Sequence, residues 1–421
     1  MMSGKIKNNY KKFLILFPII LFYIIGFLLN EDASGSGEYD YINYLLVSQE
    51  NLSNSFYNTL TNEGFSGYTP LHFILYSPLY NFFGAEYLRL INYLSSFFVI
   101  YIFYLLLKKK FPEIKKNHLI LISLLPTLDP YFRASAYWFQ NEITALIFFL
   151  ISLNFFLNFD SNKNLIRTNI INKDIIFSFV FCALAFYTKQ NYVIFVIFYF
   201  IYYLIKIKNF KFFLTLSILN ILIYLPYFYL SLKLNSFSPG SGDQVYLFSL
   251  NNILIFFSIL SFYFFPFYIF KINKNFLNNN KFKFILSILF VLIFSYFFKY
   301  ENNLGGGFFY KLSNLILDNN FFFFISSSIG LFFFIDLVFS KNLKNKLIFF
   351  PILLILIFLK VPYQEYIAIY FFYIYFLILD KDFINNIFYR LSFNLSLIYF
   401  YFIIFLIGSI LYNHLNLKYL I

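Results

Sequence analysis

Cysteine and histidine are nearly missing from this sequence. The single cysteine, Cys182, excludes an intramolecular disulfide, so cysteine usage does not reveal the redox compartment. The three histidines, His72, His118 and His414, are scattered along the chain, which argues against a histidine metal site. The sequence also lacks a phosphate-binding Walker loop, a nucleophile elbow and a zinc signature. We therefore expect no metal and no cofactor.

Charged residues are scarce as well. They make up 12% of the 421 residues, whereas 61% are hydrophobic and 26% are aromatic. No water-soluble core could bury so much apolar surface, so this composition excludes a soluble globular protein and predicts a polytopic membrane protein. In a soluble protein the formal net charge of +13 would suggest a nucleic-acid partner. In a membrane protein Lys and Arg collect on cytoplasmic loops, so we expect membrane lipids and no nucleic acid as partners.

Apolar runs predict an all-α fold with about thirteen transmembrane helices. An internal repeat, a heptad pattern and a soluble domain are not visible, so residues 1–421 are predicted to form a single integral membrane domain. The region 175–205 is divided at TKQN, because its 31 residues are too many for one spanning helix of about 20. The predicted spans are 13–29, 87–107, 118–128, 141–158, 175–187, 190–205, 212–231, 252–270, 284–298, 320–339, 347–360, 364–379 and 391–412.

The distribution of charge predicts an orientation for these spans. With alternate loops assigned to the cytoplasm, 24 of the 32 basic residues lie inside and 8 outside, whereas 13 of the 19 acidic residues lie outside. The first span is then an uncleaved helix with a cytoplasmic N-terminus, and the C-terminus lies outside. The first outer loop, residues 30–86, is long and contains Pro70 and Pro78, which favour short interfacial helices over another span.

The acidic loop, residues 31–40 with the sequence EDASGSGEYD, is the most polar part of the first outer loop. A carboxylate at the outer surface could act as a general base that takes the proton from an attacking sugar hydroxyl. We predict Glu38 or Asp40 as the base and Asp32 as the next candidate, whereas Glu31 is more easily explained as an interfacial anchor. For any single outward carboxylate, a solvated surface position is the simpler interpretation.

Eight basic residues fall on the predicted outer face, where positive charge is disfavoured. A phosphate group would explain their presence, and Lys189, Arg89 and Arg133 are the candidates to bind it. Helix-end snorkelling or pairing with the outward carboxylates is the alternative. The phosphate hypothesis predicts that these three side chains converge with the acidic loop on one outward cavity.

Six short motifs, spread over most of the chain, resemble those of a known enzyme superfamily. Together they resemble the GT-C superfamily of polyprenyl-phosphate-sugar-dependent glycosyltransferases. Their order is most similar to that of the dolichyl-phosphate-glucose α-1,2-glucosyltransferases and their bacterial relatives. Relatives often have adjacent acidic residues in the first outer loop, whereas this chain has Glu38-Tyr39-Asp40 or Glu31-Asp32 there. The motifs are GEYDYINYL, TPLHFILYSPLY, AEYLRLINYL, DPYFRASAYWFQNE, FYTKQNYVIF and PYQEYIAIYFF.

The resemblance implies an inverting transfer of a sugar from a polyprenyl-phosphate donor to a lipid-linked glycan or another acceptor. The reaction would take place on the non-cytoplasmic face of a membrane, which we expect to be the bacterial cell membrane. The same motifs contain His72, Gln190, Gln364 and Glu365, which are further candidates for the site. Two alternatives remain: an oligosaccharide polymerase or ligase that uses polyprenyl diphosphates, and a multi-pass transporter or flippase.

Overall fold

The fold of the described residues is all-α. A computed structural model describes residues 17–60, 69–161, 172–233, 249–272, 274–300, 305–357, 359, 361–388 and 390–414. Within these ranges there is no β-strand, and most of the residues are helical. The described helices pack directly against one another.

Among the described residues, seven helices are long and apolar enough to cross a membrane by length and composition. They indicate an integral membrane protein. These seven are Ala85–Lys110, Glu142–Ser161, Gln190–Ile207, Phe210–Lys233, Leu250–Tyr268, Phe321–Val338 and Leu391–Asn413.

The remaining helical segments are shorter, more polar or both. One apolar helix, Phe17–Leu28, precedes the acidic loop. The other α-helices are Gly37–Asp40, Leu46–Asn54, Phe56–Asn58, Leu71–Phe83, Lys116–Leu124, Pro130–Tyr137, Lys173–Thr188, Lys274–Ser295, Phe308–Leu317, Leu343–Leu347, Phe349–Ile357, Glu365–Tyr373 and Lys381–Phe388. Within the described ranges, the π-helical turns Tyr41–Leu45 and Ile374–Ile378 and the 3₁₀ turns Leu125–Leu128 and Gln190–Tyr192 join or extend them.

The prediction of thirteen spans is therefore wrong, and the reason is helix length. At about 1.5 Å per residue, a nine-residue α-helix such as Lys116–Leu124 covers about 14 Å of a hydrocarbon core of about 30 Å. The expected span 347–360 begins inside Leu343–Leu347 and continues as the nine-residue helix Phe349–Ile357. Residues 13–16 of the expected first span lie outside the described residues.

Two local predictions are confirmed. The break at TKQN is real: Lys173–Thr188 ends there, Lys189 is extended with φ −146° and ψ 119°, and the next helical turn begins at Gln190. The first outer loop contains short helices, of which Leu71–Phe83 is the longest among its described residues. At Gly84, φ of +81° turns the chain sharply into Ala85–Lys110, a conformation that favours glycine.

Candidate functional site

A buried ion pair fixes the start of the acidic loop. The guanidinium of Arg133 donates from Nε to Oε1 of Glu31 at 2.6 Å and from Nη2 to Oε2 at 2.5 Å. Its remaining donors reach the carbonyl oxygens of Phe22 at 3.2 Å and Thr127 at 3.3 Å. Arg133 is fully buried and Glu31 nearly so. Planar, bidentate contact of this kind is the geometry in which arginine binds carboxylates most strongly.

The first helix, Phe17–Leu28, leaves space for this ion pair at Gly26. A side chain at Gly26 would overlap the Arg133 guanidinium and crowd the Glu31 carboxylate, so only glycine leaves the necessary space. Tyr137 donates to the carbonyl oxygen of Tyr23 at 2.6 Å, which satisfies a further acceptor on the same helix.

Arg89 supports the same loop from another side. Its Nε donates to the carbonyl oxygen of Tyr137 at 2.9 Å, and its Nη2 donates to Oδ1 of Asn30 at 2.8 Å. The guanidinium also lies over the ring of Trp138, 3.9 Å from the centroid, while the Trp138 indole donates to the carbonyl oxygen of Glu31 at 3.0 Å. Arg89 and Arg133, both predicted to bind phosphate, are thus engaged by the protein itself.

Asp32 is also engaged locally. Its Oδ1 accepts from the backbone N–H groups of Gly35 at 3.0 Å and Gly37 at 3.1 Å, and its Oδ2 accepts from that of Glu38 at 3.2 Å. A carboxylate that accepts several backbone donors at the start of a helix stabilises that turn. Asp32 therefore shapes the acidic loop, and its oxygens are occupied by that loop.

Glu38 and Asp40 lie on different sides of the one-turn helix Gly37–Asp40. Glu38 is exposed and close enough to Arg89 to interact electrostatically with it. Asp40 is partly buried, and its carboxyl group experiences the charges of Lys189 and Glu142. Burial, followed by the negative charges of Glu142 and Asp32, raises the pKa of Asp40 to about 6, although Lys189 opposes the shift.

Lys189 is the centre of the candidate site. Its ammonium forms an ion pair with Oε1 of Glu142, the first residue of Glu142–Ser161. The preceding Asn141 donates to the carbonyl oxygen of Thr188 at 2.7 Å and so ties the two helix ends together. We call Lys189 with Asp40, Glu142 and Glu365 the lysine cluster.

Glu365 completes the lysine cluster from a distant part of the sequence. It is the first residue of Glu365–Tyr373, which is outside the seven candidate spans. Burial is the main cause that raises the pKa of its carboxyl group to about 7. The negative charges of Glu142 and Asp40 add to this effect, whereas Lys189 opposes it.

A narrow pocket opens at the lysine cluster. The space available to a water-sized molecule is about 10 Å³, enough for roughly one water. Three tyrosine rings form much of its wall. The lining residues are Glu142, Lys189, Asn191, Tyr192, Glu365, Tyr366, Ile369 and Tyr370.

A second, apolar groove lies along the helix Lys173–Thr188, which ends directly before Lys189. Its volume is about 320 Å³, and it includes Tyr187, two residues before the lysine. Carbon atoms dominate its surface, as in sites that hold hydrocarbon chains. The groove is lined by Leu60, Pro70, Leu71, Ile74, Leu184, Tyr187, Pro226, Tyr229 and Leu230.

The other predicted site residues have different surroundings. His72 is buried, its Nδ1 lies 3.1 Å from Oγ1 of Thr144, and burial lowers its pKa to about 3, so the ring is neutral. Gln364 accepts from the backbone N–H of Phe308 at 2.8 Å and positions the start of the helix that carries Glu365. Gln190 begins the 3₁₀ turn directly after Lys189.

Several residues of the pocket were not singled out from the sequence. Tyr192, Tyr366 and Tyr370 are three of 39 tyrosines, so their identity alone carries no signal. Glu142 was one of several outward carboxylates, and its pairing with Lys189 joins residues 47 positions apart. An acidic residue at the first position of an apolar helix was the available clue, because carboxylates stabilise helix N-termini.

The fold and the pocket together define an all-α integral membrane protein with an ion-paired polar site at the ends of its helices. No family model matches the chain, and comparison with curated proteins and with solved structures gives no match either. The resemblance to the GT-C superfamily therefore rests on the quoted motifs alone.

Proposed function

We propose that this protein is a membrane glycosyltransferase that takes a sugar from a polyprenyl-phosphate donor. The acceptor would be a lipid-linked glycan or another hydroxyl compound at the non-cytoplasmic face of a bacterial cell membrane. The observation that carries the proposal is the lysine cluster, in which one cation lies among carboxylates, one of them from the acidic loop. Such a transfer requires a general base and a positively charged group that binds the phosphate.

Lys189 is the proposed ligand of the donor phosphate. It is held between two helix ends, and its charge acts on all three carboxylates of the cluster. The groove beside Tyr187 would hold the first part of the prenyl chain, because it is apolar and follows the helix that leads to Lys189. Since the pocket has room for about one water, we expect its walls to move apart as the donor phosphate binds beside Lys189.

Asp40 is the proposed general base. It would take the proton of the acceptor hydroxyl while the hydroxyl oxygen attacks the anomeric carbon. The bond from that carbon to the phosphate oxygen breaks, and polyprenyl phosphate leaves as an anion beside Lys189. The reaction inverts the anomeric carbon. A base with a pKa of about 6 is ionised at neutral pH yet still able to accept a proton.

The test is to offer the purified protein in detergent a panel of polyprenyl-phosphate sugars, with thermal stabilisation as the readout. At least one donor should raise the melting temperature, and Lys189→Gln should abolish that shift. Stabilisation only by polyprenyl diphosphates would favour the polymerase or ligase alternative. A protein that none of the polyprenyl-phosphate sugars stabilises would contradict the proposal.

The rate of turnover tests the assignment of Asp40 as the general base. Asp40→Asn should keep donor stabilisation but lower turnover by about 100-fold or more, because the amide cannot accept the proton. Turnover of the unaltered protein should rise with pH through about 6, since only the ionised carboxylate is active. Glu50→Gln, at an exposed position of the first outer loop, is the control and should keep normal turnover. If Glu38→Gln loses turnover and Asp40→Asn does not, the base is Glu38.

A further inference from the structure

Two residues that line the pocket, Glu142 and Tyr192, each have a buried polar atom without a hydrogen-bond partner among the described residues. Oε1 of Glu142 binds Lys189, but its Oε2 binds no protein group, and the side chain is 6% exposed. The hydroxyl of Tyr192 is likewise unpaired, in a residue that is 1% exposed. Burying such groups unpaired is unfavourable, so their presence in a pocket wall calls for an explanation.

Packing alone does not explain these two groups. A phenylalanine at position 192 would fill the same space among Phe149, Phe195 and Tyr370 without burying a hydroxyl. Lys189 needs only one carboxylate oxygen of Glu142. Both groups also line the pocket, so a ligand bound there that forms hydrogen bonds with them is the better explanation.

We infer that Glu142 and Tyr192 form a subsite that binds a hydroxyl group of the sugar carried by the donor. The inference rests on the proposed function and specifies which part of the donor these residues recognise. A sugar hydroxyl donates to a carboxylate oxygen and can accept from a phenol, so one hydroxyl satisfies both groups. The rings of Tyr366 and Tyr370 offer apolar walls for the C–H groups of the same sugar.

A metal ion is a poorer explanation of the same groups. In the part of the chain that the structure describes, no three His, Cys, Asp or Glu side chains come together in a way that could hold one. A tyrosine hydroxyl is also an unusual partner for a hard cation, which prefers carboxylate and carbonyl oxygens. The positive charge of Lys189 next to Glu142 already balances the carboxylate.

The experiment compares a polyprenyl-phosphate hexose that stabilises the protein with its monodeoxy analogues, each lacking one hydroxyl. For one analogue we expect at least about tenfold weaker binding, because hydrogen bonds to charged groups are the strong ones. Tyr192→Phe should weaken binding of the parent donor and reduce its advantage over that analogue to within about threefold. Glu142→Gln should act in the same direction.

Tyr93→Phe is the matched control. It removes another buried tyrosine hydroxyl that has no partner among the described residues, but its side chain does not line the pocket. Tyr93→Phe should leave the preference for the parent donor over the monodeoxy analogue unchanged. If every monodeoxy analogue binds as tightly as the parent donor, or if Tyr192→Phe keeps the full discrimination, the subsite is overturned and the glycosyltransferase proposal stands. If no polyprenyl-phosphate sugar stabilises the protein, both the proposed function and the subsite are contradicted.

Discussion

Single residues decide how the acidic loop is held in place. Glu31→Gln should lower the free energy of unfolding by about 3–5 kcal/mol, because it leaves the buried Arg133 guanidinium without its counter-charge. The loss is measured as a shift of the denaturation midpoint in detergent. The control is Glu113→Gln, whose partner Lys381 lies 3.6 Å away with both side chains about half exposed. That change should cost less than about 1 kcal/mol. Equal losses from the two variants would show that the buried pair is not specially stabilising.

The candidate site was partly predictable at this scale. Lys189 stood out because positive charge is disfavoured on the predicted outer face, and the structure places it in the lining of the pocket. Arg133 stood out for the same reason, but its partner Glu31 is 102 positions away in the sequence. A motif does not reveal such a pairing. The sequence interpretation treated Glu31 as an interfacial anchor, whereas it is the buried counter-ion of Arg133.

Helix-helix contacts determine which elements form the centre of the bundle. Leu250–Tyr268 and Phe321–Val338 approach so closely that a side chain at Gly330 would overlap the carbonyl oxygen of Phe257. The hydroxyl groups of Ser258 and Ser326 are 2.8 Å apart across the same contact. Small residues and serine hydroxyls are the usual means of close helix packing in membranes.

Gly330→Ala should therefore destabilise the protein by about 1–3 kcal/mol, because the two helices must move apart to admit a methyl group. Gly408→Ala is the matched control, since nothing lies within 4 Å of a side chain at that helical position. It should be neutral or slightly stabilising, because alanine favours a helix over glycine. Comparison of thermal denaturation midpoints checks both outcomes. A neutral Gly330→Ala would contradict the close contact.

The number of spans was the weakest prediction for physical reasons. With 69 phenylalanines and 39 tyrosines in the chain, apolar runs occur in spans and in short buried helices alike. Periodicity does not separate the two, so length must decide, and turns such as Leu125–Leu128 are not visible as breaks in hydropathy. The break at TKQN was visible because it combines a charge with polar residues. The all-α membrane class required only composition.

For the whole molecule, the ion pairs of the described residues separate into two groups. Glu31, Arg133, Glu142 and Lys189 pair among themselves, and all four were assigned to the outer face. Basic residues assigned to the cytoplasm pair instead with Glu113, Asp160 and Asp336. Among the described residues, no ion pair joins one group to the other. The ion pairs therefore fall into two separate sets, and which face of the membrane is cytoplasmic stays a prediction.

Cysteine labelling in intact cells tests that orientation directly. A Cys182→Ser background removes the native thiol, which is buried. In that background, Asn51→Cys in the first outer loop should react with a membrane-impermeant maleimide, because its side chain is exposed and predicted to lie outside. Lys341→Cys, exposed and assigned to the cytoplasm, should react only after the membrane is permeabilised. The reverse pattern would place the lysine cluster at the cytoplasmic face. A donor presented at the outer surface could then not reach Lys189, and both the orientation and the proposed reaction at the outer face would be wrong.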